Sequence, residues 1–225
     1  MTAMPNYACI IVDLCLALCD KGYFSATGGN VALRVGHEHI AVTPSATDYL
    51  EMTPDDVCLL RLSDLAQVSG ARAPSVESAL HARVLRRRPD AGCSIHTHQP
   101  IASACALIGK PLPVPPELWP TLGRQVPVAG YAPSGSSWLA ALLEREVRPD
   151  INAYLMRNHG VLCCGADVPG AMRAVEDVER LASRLLGERI AQRLAREPEH
   201  IAALIRTQRL LDAEQAKTKE ETEQA

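Results

Sequence analysis

Short apolar runs of strand character alternate along this chain with longer stretches whose apolar residues recur at helical spacing, and this interleaving restricts the fold to the mixed α/β class. Residues 7–20 carry Ile10, Ile11, Leu14, Leu16, Ala17 and Leu18 with Cys15 and Cys19, and Gly22 follows, which predicts an opening helix. NVALRV and HIAVTP flank a His37-Glu38-His39 turn and predict a hairpin, with VCLLRL as a third strand after the turn at Thr53–Asp56. Residues 63–73 are polar and read as irregular. A helix follows in which Val76, Ala79, Leu80 and Val84 share a face, ended by Pro89. GCSIHTH suits a strand that delivers side chains to a site, and IASACALIGK a further helix. Residues 111–135 are dense in proline and glycine, as expected of a site-bordering loop with a short strand at QVPVAGY. WLAALLEREV reads as an amphipathic helix, INAYLMRNHGVLCCG as strand, turn and strand, and residues 169–194 as a long helix. With 225 residues, 47% of them hydrophobic, one domain over 1–213 is expected, followed by a charged, apolar-poor and flexible tail over 214–225.

The 23 basic and 26 acidic residues nearly cancel, so no global field recruits nucleic acid or an anionic membrane. The N-terminal apolar run is interrupted by Asp13 and lacks a preceding basic region, so it reads as a helix, not a signal; a cytoplasmic protein acting on a small molecule is expected. The eight cysteines lie within apolar segments and read as reduced core thiols, with the adjacent Cys163 and Cys164 facing opposite ways. Arg86-Arg87-Arg88 reads as a solvated helix end, and the Glu- and Arg-rich stretch 176–189 as a surface or inter-subunit face.

Residues two apart in a strand project to one face, so His96 and His98 in His-Thr-His can aim two imidazoles at one ion, although two ordinary strand histidines would look the same. His159, in Asn158-His159-Gly160 between two strand-like runs, is the candidate third ligand, aimed inward by a turn with a permissive glycine. His37 and His39 lie on the hairpin turn, His81 within a helix and His200 in a late polar segment, and they fit less well. Three imidazoles suit zinc and leave a position open for water or substrate.

In order and spacing, Gly28-Gly29-Asn30-Val31-Ala32-Leu33-Arg34, Val42-Thr43-Pro44-Ser45, Pro74-Ser75-Val76-Glu77 with His81, His96-Thr97-His98 and Asn158-His159-Gly160 resemble the class II aldolase and adducin family over residues 7–190. The resemblance implies a three-layer α/β/α domain around a central, largely antiparallel sheet. It further implies a homotetramer with active sites between subunits. By the same resemblance His96, His98 and His159 are zinc ligands, and Glu77 is a carboxylate that approaches the metal or leaves it to shuttle a proton. A neutral three-histidine site keeps the full charge of the ion available to polarise a carbonyl and stabilise an enediolate. Manganese, cobalt or iron can take such a site when availability favours them.

Relatives acting on phosphorylated sugars hold the phosphate with residues matching Gly29, Asn30, Ser45, Ala46, Ser75 and Val76. Ala46 stands where glycine is usual, and Val76 where a second serine is usual, which removes a hydroxyl donor. Glu117, in Pro-Pro-Glu-Leu-Trp, stands where fuculose-phosphate aldolases carry a tyrosine acid and dehydratases a glutamate; it is either an acid or base reaching a neighbouring subunit's site or a solvated loop carboxylate. Tyr131 is a second candidate acid, with packing its plainer role. The leading expectation is reversible aldol cleavage of a small hydroxy-carbonyl compound, with catalysis by Glu77 and Glu117. Decarboxylation or dehydration follows, then epimerisation, and a non-catalytic adducin-like module comes last.

Overall fold

The computed structural model describes residues 6–24, 28–196 and 201–223. The apolar run at the start forms helix α1 (Asn6–Asp20), and the predicted hairpin forms strands β1 (Asn30–Val35) and β2 (His39–Val42), with β3 (Cys58–Arg61) beside it. Strand β4 (Gln67–Ser69) falls in the stretch read as irregular; all three of its residues are exposed at the sheet edge, so no apolar alternation marks it. Helix α2 (Ser78–Arg87), strand β5 (Cys93–Thr97) and helix α3 (Pro100–Ile108) follow. The proline-rich region holds β6 (Leu112–Pro113), a single helical turn at Pro116–Leu118, the short helix α4 (Trp119–Leu122), β7 (Gln125–Val126) and β8 (Val128–Ala129). Helix α5 (Ser137–Glu146), strands β9 (Ala153–Met156) and β10 (Gly160–Gly165), and helices α6 (Val168–Leu194) and α7 (Ile201–Glu223) complete the order.

One eight-stranded sheet runs β4-β3-β2-β1-β5-β10-β9-β8, antiparallel throughout except for the β8–β9 pair. The α/β/α expectation holds because each face of this sheet is apolar and carries its own helices. Val31, Leu33, Cys93, Ile95, Val161 and Cys163 face one layer with Ile11 and Leu18 of α1, Ala102 of α3 and Val178 of α6. Ala32, Ile40, Leu162 and Cys164 face the other with Leu80, Val84 and Leu85 of α2 and Leu139 and Leu143 of α5. Cys163 and Cys164 thus enter opposite cores, as alternation requires. Burying each such leucine or isoleucine contributes about 1.5–3 kcal/mol relative to an exposed position.

Several expectations from local pattern are corrected by long-range packing. Helix α2 begins at Ser78, after Glu77, and Val76 is exposed. The cause lies in Ala73–Ser75, which runs extended against Thr43–Ser45: Ser75 N–H donates to Thr43 O at 3.0 Å and Ser45 N–H to Ala73 O at 2.9 Å. The later start turns the helix so that Ser78, Leu80, His81, Ala82, Val84 and Leu85 form its buried face, with Ala79 only half-buried. Arg88 is no solvated helix end: it is buried, and its guanidinium donates to Asp90, to the carbonyls of Arg148 and Ile151 and to Asn152 Oδ1. Within 176–189, Asp177 and Glu179 are buried. The Glu179 carboxylate accepts the Ile101 and Ala102 amides, both at 2.8 Å, and so satisfies the start of α3 in place of a local cap. Cys9 is exposed, unlike the core thiols expected of all eight. Residues 214–223 continue α7 as helix, since alanine, glutamate, glutamine and lysine propagate helix without an apolar face. His200 and residues 224–225 lie outside the described residues, as do the first five residues of the opening segment. Among the described residues no helix is long and apolar enough to cross a membrane.

Candidate metal centre

The register of the central strands builds the site. β1 pairs Asn30 opposite His96 of β5, and β10 pairs Leu162 opposite the same histidine, so Asn30 and His96 share one sheet face at the ends of their strands. His98 lies one residue beyond β5, and His159 sits in the turn between β9 and β10. The Nε2 atoms of His98 and His159 lie 3.0 and 3.1 Å from His96 Nε2, and the three histidines form a set whose ligand atoms all fall within 4.8 Å of one another. Three nitrogens about 2.0–2.1 Å from a tetrahedral zinc would be separated by about 3.3 Å, so the donor set fits such an ion after small adjustments.

Protonation supports the same fit. His96 Nδ1 lies 2.8 Å from the Val161 carbonyl, which can only accept, so this nitrogen carries the proton. Burial pulls the His96 pKa down to about 3, so the ring is neutral near pH 7 and Nε2 presents a lone pair to the other two imidazoles. A carbonyl behind a ligand histidine is the usual way to set its tautomer. His96 is fully buried, His159 half-buried and His98 exposed, so the cluster is anchored in the core and open to solvent on one side.

Two local features deliver His159. Asn158 takes the left-handed turn conformation at φ 54°, the role assigned above to glycine. Gly160 serves a different need: a Cβ there would lie 2.5 Å from Thr97 O, 2.7 Å from His98 Cδ2 and 3.0 Å from His96 Cε1. Gly160→Ala is therefore expected to push β10 from β5 and weaken metal binding about 10–100-fold, the scale of losing a ligand's supporting contacts. Competition for zinc against a chromogenic chelator measures this, and wild-type affinity in the variant would refute the packing role.

Glu77, at the cap position of α2, extends its carboxylate to the histidines: Oε1 lies 3.0 Å from His159 Nε2 and Oε2 3.3 Å from His96 Nε2. Asn30 Nδ2 donates to Oε2 and Ser134 Oγ to Oε1, each at 2.8 Å. Burial opposes ionisation of Glu77, but the hydrogen bonds from His159 and the Asn30 amide outweigh it and hold the carboxyl well below its usual range. The carboxylate thus has two fixed donors to rest on when it is not beside an ion.

The remaining predicted residues separate into two groups. Gly29, at φ 85°, lets its loop pass where a Cβ would lie 2.9 Å from His96 O, and Tyr49 donates its hydroxyl to Gly29 O. Ser75 is buried and its Oγ accepts the Glu77 amide at 3.2 Å. Ser45 lies half-buried in the paired segment beside it, and Ala46 is exposed at φ 49°, a conformation that glycine adopts with less strain. Val76 is 66% exposed at the rim, next to Gly135. Glu117 does not join the cluster of its own chain: its carboxylate is exposed and faces Arg184 at 3.3 Å. Tyr131 is also exposed. Ser134 is marked by no motif, whereas His81 stands in the family pattern above without a role in the site. Ser134 ends the loop flagged as bordering a site. His81 follows Glu77 by four residues, the spacing that puts two helical side chains on one face.

On this α/β scaffold three converging imidazoles beside a buried carboxylate form a site that could hold a metal ion. The family model of the class II aldolase and adducin N-terminal domain matches residues 9–205, and the chain belongs to that family as an enzyme of the lyase kind. It is similar to the 5-deoxy-D-ribulose 1-phosphate aldolase of Bacillus thuringiensis serovar kurstaki, 33% identical over 162 residues that cover 71% of this chain and 75% of the relative. It is also similar to the methylthioribulose-1-phosphate dehydratase of Cronobacter sakazakii, 30% identical over 197 residues that cover 81% of this chain and 95% of the relative. A solved L-fuculose 1-phosphate aldolase superposes with a TM-score of 0.73 at 28% identity, covering 80% of this chain and 84% of that one.

Proposed function

We propose that this enzyme reversibly cleaves a carbon–carbon bond in a small phosphorylated hydroxy-ketone, with zinc, or another divalent transition metal, held by His96, His98 and His159. The observation that carries this reading is the convergence of three imidazole nitrogens on one point with the Glu77 carboxylate against two of them. A divalent ion there would supply a Lewis acid for the substrate's carbonyl oxygen. Glu77 would move the proton. Ionised at rest, it accepts a proton as the hydroxyl of the departing half becomes an aldehyde. The bond's electron pair stays on the carbon next to the ketone, and Glu77 returns the proton to that carbon. Asn30 and Ser134 hold the carboxylate between these transfers. Gly29, Asn30, Ser45, Ala46, Ser75 and Val76 would receive the anionic end, with Val76 offering an apolar surface in place of a hydroxyl.

The proposed unit is one domain over 1–213, assembled as a homotetramer in which Glu117 reaches a neighbouring copy's site. The exposure of Glu117, Tyr131 and Trp138 supports this arrangement. Eight free thiols agree with a reducing, cytoplasmic setting.

A second reading, dehydration at the same centre, is favoured by the match that spans 95% of the Cronobacter sakazakii dehydratase. The zinc-loaded protein should be offered 5-deoxy-D-ribulose 1-phosphate, L-fuculose 1-phosphate and 5-methylthioribulose 1-phosphate. Aldehyde release is expected. Loss of water without aldehyde would move the assignment to dehydratase, and inertness of metal-replete protein toward all three would overturn it.

A further inference from the structure

A line of hydrogen bonds runs behind Glu77. His81 is fully buried between α2 and β5, and both its ring nitrogens are engaged: Nδ1 with Ser94 Oγ at 2.8 Å and Nε2 with Asn30 Oδ1 at 2.6 Å. Asn30 in turn donates Nδ2 to Glu77 Oε2. We infer that His81, in the tautomer that protonates Nε2, is a positioning residue that holds the Asn30 amide with its N–H2 facing Glu77. This rests on the proposed role of Glu77.

The polarity of the line follows from which atoms can donate. An amide has a donor end and an acceptor end, and nothing in its shape tells Asn30 which to turn toward Glu77. A ring N–H at His81 Nε2 requires an acceptor, so it captures Oδ1 and leaves Nδ2 for the carboxylate. The opposite tautomer would capture Nδ2 and set Oδ1 against a carboxylate oxygen, two acceptors in contact. An ionised Glu77 can only accept, so it favours the first arrangement, and the Ser94 hydroxyl, which can donate or accept, donates to the bare Nδ1 that this tautomer leaves. Register places Ser94 two residues before His96 on the same sheet face, and the helix places His81 four residues after Glu77. The connection from Glu77 through Asn30 to His81 therefore runs from the cap of α2 to its first turn, and the short backbone between them fixes the separation of its two ends.

The test uses zinc-loaded full-length protein. In nitrogen-15 spectra of labelled histidine, His81 is expected to show a protonated Nε2 and an unprotonated Nδ1, and the Asn30 side-chain amide to be protected from hydrogen exchange. A protonated Nδ1 would overturn the inference whether or not any substrate is found. His81→Leu should lose the Asn30 protection and lower kcat on the order of tenfold, with KM and metal content unchanged. His81→Gln, whose amide can place an N–H near the original Nε2, should restore most of both. If the two variants suffer equally, or if metal is lost with activity, His81 is structural and the inference fails. If the wild type turns over none of the three sugar phosphates, the proposed reaction fails, while the tautomer and amide signals still decide the role of His81.

Discussion

Replacing Glu77 with glutamine is expected to lower turnover about 10²–10⁴-fold, the range associated with a positioned acid–base group, while leaving metal content unchanged. Glutamine has nearly the same shape, so the packing at the start of α2 survives. What changes is the capacity to take up a proton. One of the two oxygens also becomes an N–H2 group, so either Asn30 Nδ2 or Ser134 Oγ must face a donor instead of an acceptor. Three histidines still offer their nitrogens to the ion, because no backbone atom of theirs depends on the charge of Glu77. Steady-state rates with elemental analysis of the same preparation separate the two effects. Undiminished turnover in Glu77→Gln would remove the proton-shuttle role, and metal loss in step with rate would recast Glu77 as an obligatory ligand.

Removal of the metal is the second large effect. His96→Ala is expected to abolish stable metal retention and to lower turnover by about three orders of magnitude or more, since a Lewis acid supplies several kcal/mol and each 1.36 kcal/mol is tenfold in rate. His96 is the critical one of the three because its Nε2 is the atom that both other imidazoles approach, and it alone is anchored through Nδ1 to a strand carbonyl. A chelator should reproduce the loss in the wild type, with recovery on adding zinc back, whereas zinc should not rescue His96→Ala. Metal bound only to the folded state also raises Tm in a concentration-dependent way, which thermal scans with and without zinc measure independently of any substrate. A chelated wild type that keeps full activity would refute metal dependence.

The legible part of this molecule was set by short-range pattern. Helical spacing announced α1, α2, α3, α5 and α6, and apolar runs announced β1, β2, β3, β5, β9 and β10. Strand β4 left no trace because an exposed edge has no buried face to mark it. The last turns of α7 likewise needed no apolar stripe. Arg88 and Glu179 show the opposite limit. A charged side chain reads as solvated unless its buried partners are known, and the carbonyls of Arg148 and Ile151 and the amides of Ile101 and Ala102 lie 60 or more residues away in the chain.

The candidate site residues divide in the same way. His96 and His98 were readable as a pair because two-residue spacing in a strand is a local geometric fact, and His159 was readable as a candidate because its turn was. Alternation of Cys163 and Cys164 was determined just as locally. Tertiary structure alone decided that Asn30 stands opposite His96, that Ser134 and Asn30 grip the two oxygens of Glu77, that His81 backs Asn30, and that Gly160 is needed for space and Asn158 for the turn. Each of these joins elements through sheet register or helix docking. Neighbouring residues constrain backbone conformation and side-chain direction, but which distant groups then meet is set by how whole apolar faces pack.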